Sequence, residues 1–139
     1  MKILYVLIFW LISLNTTFSQ EIKSVLYGSG GGITGRVLVQ KFSNDKIEFG
    51  SGLTGFIYNK SVDYPKRFFK KISKSAQKFV NENKEINEVS NLYQLLQIEY
   101  TDGTLKTYKW NSTTTLSDNH KKLISRILKV NKKFTKDEK

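Results

Sequence analysis

The stretch that decides the fold is Pro65-Lys66-Arg67-Phe68-Phe69-Lys70-Lys71-Ile72-Ser73-Lys74-Ser75-Ala76-Gln77-Lys78-Phe79-Val80. At about 100° per residue, Phe68, Phe69, Ile72, Ala76, Phe79 and Val80 share roughly 120° of arc, the signature of a helix with one apolar face. Lys66, Arg67, Lys70, Lys71, Lys74 and Lys78 fall on the other side. Pro65 suits the first turn, where its missing N–H leaves no intrahelical bond unmade.

On both sides of this helix the period is two. Upstream, Ile22–Tyr27, Arg36–Phe42 and Ile47–Phe49 read as strands, the third broken by Gly50-Ser51-Gly52 and resumed over Leu53–Tyr58. Downstream, Asn81–Asn91 is polar and reads as a loop. Leu92–Thr101 and Leu105–Trp110 then form a hairpin about Asp102-Gly103, with Leu96, Ile98 and Tyr100 inward and Glu99 outward. Ser117 or Asp118 caps a last helix running to Val130, with Leu123, Ile124, Ile127 and Leu128 as its core stripe.

The order is β-β-β-α-β-β-α. Strands and helices are segregated, which predicts an α+β fold: an antiparallel sheet with both helices on one face. Residues 20–130 read as a single domain and 131–139 as a charged tail.

Met1–Ser19 has one lysine, a run of about 12 apolar residues and a short polar end with Thr17 and Ser19, the layout of a secretory signal. The run is too short to cross a bilayer, which needs about 20 residues. Cleavage before Gln20 leaves 120 residues and no transmembrane span, and places the protein in the periplasm or outside the cell.

Composition narrows the chemistry. The chain has 139 residues, a formal charge of +11, no Cys and one His. Thiol chemistry, disulfides and multi-His metal sites are excluded. His120 reads as a surface residue flanked by Asn119 and Lys121. Glu82, Glu85 and Glu88 read as a solvated face, and no carboxylate pair has spacing suited to acid–base work. No catalytic residue, cofactor site or metal site is expected.

Two glycine motifs stand out. Gly30-Gly31-Gly32-Ile33-Thr34-Gly35 satisfies GxGxxG, but a dinucleotide site needs a helix next and a strand follows here. Gly50-Ser51-Gly52-Leu53-Thr54-Gly55 repeats the pattern 20 residues later, also before a strand. The pair reads as a small hairpin repeat. The second copy is expected to serve the fold. The first has five glycines in Gly28–Gly35, more than a turn needs, and Gly30, Gly31, Gly32, Ile33, Thr34 and Gly35 are expected to touch a partner.

Ser29-Gly30-Gly31-Gly32-Ile33-Thr34-Gly35 after a first strand, the late hairpin Leu96–Gly103, and a last helix with Leu123, Ile124 and Leu128 resemble emfourin. That family comprises small inhibitors of thermolysin-type (protealysin) metalloproteases. The chain is also similar to small exported proteins of Bacteroidetes type that carry a GGG-x-TG segment. The resemblance implies an antiparallel sheet with packed helices, no catalytic site, and inhibition by occluding a protease cleft with Gly28–Gly35. The residues themselves leave an alternative, an envelope module that docks on anionic lipid, lipopolysaccharide or acidic polysaccharide. Its contact would be the basic face Lys66, Arg67, Lys70, Lys71, Lys74 and Lys78, with a further set on and after the last helix. Export argues against a dedicated nucleic-acid role.

Overall fold

The computed structural model describes residues 20–83, 86–88 and 90–135. The signal reading of Met1–Ser19, Glu85, and the tail end from Lys136 lie outside them. Six strands, β1 (Ile22–Gly31), β2 (Val37–Phe42), β3 (Lys46–Gly52), β4 (Ile57–Asp63), β5 (Leu92–Tyr100) and β6 (Leu105–Asn111), join two helices, α1 (Lys66–Glu82) and α2 (Asp118–Phe134). The sheet order is β4-β3-β2-β1-β5-β6, with every neighbour antiparallel. The α+β architecture expected from the segregated periods is what the chain adopts. Among the described residues, no helix is long and apolar enough to cross a membrane.

One expectation is corrected. Four strands precede α1, not three, because Gly50–Gly55 reverses the chain instead of interrupting one strand. A Cβ on Gly52 would lie 1.5 Å from the Gly55 carbonyl oxygen, so only a glycine permits so tight a reversal.

One face of the sheet carries the main core. Val25, Phe42, Ile47, Leu96, Ile98, Tyr108 and Trp110 are all at most 1% exposed and pack with Ile72, Phe79, Leu123 and Ile127 of the helices. The helices cross the strands. The first turns of α1 share a cleft with Asn44 of the β2–β3 turn, and Gln77 and Asn81 lie beside Thr101 and Asp102 of the β5–β6 turn. α2 returns antiparallel: His120 stacks by Phe79, Arg126 Nη1 donates to the Lys71 carbonyl at 3.1 Å, and Phe134 meets Phe68 at 5.1 Å between centroids. The last helix therefore runs four residues past Val130. The expected tail begins with a turn of helix, held because Phe134 also packs on Tyr64.

The opposite face is not flat. Leu26, Val37, Val39 and Leu95 are buried there beneath Phe56 and Tyr93. Tyr58 of β4 and Leu105 of β6, from the two edges of the sheet, line one cavity of about 100 Å³, so the sheet curls over this second cluster. The β6 edge is partly covered by the loop after α1, where Lys109 N donates to the Ile86 carbonyl and Glu88 N to the Lys109 carbonyl.

Candidate functional site

The GxGxxG repeat becomes two neighbouring hairpin tips. Gly30 and Gly31 continue β1, so the loop is shorter than Gly28–Gly35 and spans only Gly32–Arg36. Gly31 has φ +112°, and a Cβ there would sit 1.7 Å from the Asn91 carbonyl oxygen. Gly32 N donates to that same oxygen at 2.7 Å. Gly31 and Gly32 thus fix the tip to the chain before β5, while Gly32 and Gly35 stay exposed on it.

What the tip presents is Ile33, 108% exposed relative to the standard state. The second copy places Leu53 at the equivalent position, 69% exposed. The two tips are neighbours: a Cβ added to Gly35 would lie 3.7 Å from Leu53 Cδ2. Arg36 ties their bases together, its Nε and Nη2 donating to Ser51 Oγ at 3.1 and 2.6 Å. Leu38 and Ile57 extend the apolar surface on the helix side, in register through Ser51 and beyond the cover of the helices. Of these exposed apolar residues the sequence singles out only Ile33; Leu53, Leu38 and Ile57 are exposed at the same end of the sheet. The signal for Leu53 was the repeat itself, Gly32-Ile33-Thr34-Gly35 against Gly52-Leu53-Thr54-Gly55. Neither Gly28–Gly35 nor Gly50–Asn59 contains a charged residue, in a chain that is 25% charged.

The basic face of α1 is where its periodicity places it. Lys66, Arg67, Lys70, Lys71, Lys74 and Lys78 are all exposed. The ion pairs found among the described residues lie on the sheet and involve Lys23, Lys41 and Lys46 with Glu99 and Glu48; none involves α1. On α2 the stripe is narrower than expected. Leu123, Ile127 and Val130 are buried and Ile124 is half-buried, but Leu128 is 49% exposed, because α2 packs against α1 on one side only.

His120 is not on the surface. It is 1% exposed, edge-on to Trp110 at 4.3 Å between centroids and 4.7 Å from Phe79. The Ser117 cap starts the helix, with Ser117 Oγ accepting from His120 N at 3.3 Å, and so turns the imidazole inward. Its Nε2 has no hydrogen-bond partner. Burial pushes its pKa down to about 4, so it is neutral at physiological pH. It reaches no solvent and cannot take a proton from a substrate.

Glu82, Glu88 and Glu99 make hydrogen bonds within the fold. Glu88, expected in water, has Oε2 accepting from Asn111 N at 2.8 Å and Thr114 Oγ1 at 2.6 Å, and the Thr114 bond first and then that from Asn111 hold it below the usual carboxylate range. Glu82 accepts from Asn119 and joins the two helices. Glu99 lies outward as expected, held down first by the hydrogen bond from Lys23 at 2.6 Å. Among the described residues no three His, Asp or Glu side chains come together in a group able to hold a metal ion.

No protein-family model, no curated protein and no solved structure matches this chain.

Proposed function

We propose that this chain is an exported contact protein without catalytic chemistry of its own. It engages a protein partner through the paired β1–β2 and β3–β4 tips, and a thermolysin-type metalloprotease is the first partner class to test. The observation that carries this reading is the pair of tips itself. Ile33 and Leu53 are each strongly exposed on turns that Arg36 and Ser51 join at the base. A water-facing turn gains nothing from two large apolar side chains, whereas a concave partner does. Burying each is worth about 1.5–3 kcal/mol. The glycine anchors keep the ordering cost small, since the turns are set before contact. The resemblance to emfourin supplies the protease class, and a convex double tip suits occlusion of a cleft.

The test is inhibition of a thermolysin-type protease by the purified protein, compared with the double variant Ile33→Ser/Leu53→Ser. Both side chains are exposed, so the variant keeps the fold. Inhibition near stoichiometry is expected. Loss of about 3 kcal/mol or more in the double variant corresponds to a drop in affinity of about a hundredfold or more. No inhibition at a large molar excess removes the protease partner. Equal inhibition by wild type and double variant removes the tips as the contact.

A further inference from the structure

The tips leave the basic helix unexplained, and it lies at the other end of the strands. There, α1 forms one wall of an open cleft of about 760 Å³, and the chain entering β1 forms the other. Lys23, Lys66, Arg67, Lys70 and Lys74 line it, against a single carboxylate, Glu21. Lys66, Lys70 and Lys74 stand four residues apart, so the charge repeats about every 6 Å along the helix. Among the described residues, none of these three makes an ion pair. Three exposed like charges in one row repel each other, and among the described residues no ion pair offsets that repulsion.

We propose that this cleft binds a linear acidic polysaccharide, its carboxylates or sulfates meeting the lysine row and its sugar faces lying on the floor. Three features select that ligand. The charge runs in a line within a concavity; a bilayer surface is a plane and would reach only the outermost lysines. The cleft mixes cations with neutral hydrogen-bonding side chains, Asn44, Ser73, Gln77 and Thr101, which suit sugar hydroxyls. Its apolar contribution comes from Ile22 and Phe69, both 7% exposed, so there is no exposed aromatic face on which nucleic-acid bases could stack. This site is separate from the tips and does not depend on them.

The experiment titrates the purified protein with a size-defined heparin octasaccharide and with an oligogalacturonate, and separately with phosphatidylglycerol vesicles. Wild type is compared with Lys70→Glu/Lys74→Glu in the cleft, Lys121→Glu/Lys122→Glu on α2 outside it, and Ile33→Ser/Leu53→Ser. All the altered side chains are exposed, and circular dichroism checks the fold. Binding of at least one oligosaccharide is expected, weakened about tenfold or more by the cleft reversal and under about threefold by the α2 reversal. The tip variant should bind as wild type does, which separates this site from the partner contact. With about four charges engaged, affinity should fall roughly 30-fold or more between 50 and 200 mM salt. Equal losses in the two charge-reversed variants would mean that net charge alone is at work and would overturn the site. Failure to bind either oligosaccharide at 50 mM salt, or binding confined to vesicles, would overturn it as well.

Discussion

Lowering the pH from 7.5 to 5 should remove about 2 kcal/mol of stability through one side chain, His120. In the fold its ring is enclosed by Trp110 and Phe79, its Nε2 is unpartnered, and burial lowers its pKa from 6.5 to about 4. In the unfolded chain the imidazole titrates near its ordinary value. Above pH 6.5 both states hold it neutral and it adds no pH dependence. Between 6.5 and 4 the unfolded state takes up the proton first, so stability falls as pH falls. Below 4 both states are protonated and the loss levels off. A separation of about 2.5 pKa units sets the full loss at about 3 kcal/mol, of which about 2 kcal/mol is reached by pH 5. Urea unfolding should show it as a midpoint lower by roughly 1–2 M. His120→Leu and His120→Phe remove the titrating group while keeping an apolar side chain at the site. Their stability should be nearly flat over the same window. Because His120 is the only imidazole, its proton resonance can be followed without ambiguity and should not move above pH 5. A titration midpoint near 6.5, or the same loss in both variants as in wild type, would refute the reasoning.

Three further outcomes follow from the packing. Gly52→Ala should destabilise by roughly 3 kcal/mol or more, since the new methyl meets backbone at 1.5 Å, whereas Gly55→Ala, with open space around it, should be neutral within about 0.5 kcal/mol; thermal melts of the pair check this. Phe79→Ala should lose about 3–5 kcal/mol in denaturant unfolding, because Phe79 is fully buried and packs on both Tyr108 and His120. Ser117→Ala should lose about 1 kcal/mol with the cap on α2, and hydrogen exchange should speed up first at the amide of His120.

The sequence carried the fold class because periodicity is local. Pro65–Val80 reads as a helix wherever it packs, and the alternation in Leu92–Thr101 already chooses which side chains turn inward. The recurrence of Gly-[Ile/Leu]-Thr-Gly 20 residues apart was equally legible. What the sequence could not carry was contact between distant segments. Gly50–Gly55 looked like a break in one strand, and only the approach of Gly52 to the Gly55 carbonyl makes it a hairpin. His120 sits among polar neighbours in the chain, yet the helix phase set by Ser117 aims it at Trp110 and Phe79, from two other elements. Lys23 joins Lys66, Lys70 and Lys74 only because α1 crosses the strands beside the start of β1. Residue type and spacing thus determined which faces are apolar or charged. The tertiary structure alone decided which faces meet, because burial and clefts are made by elements that lie far apart along the chain.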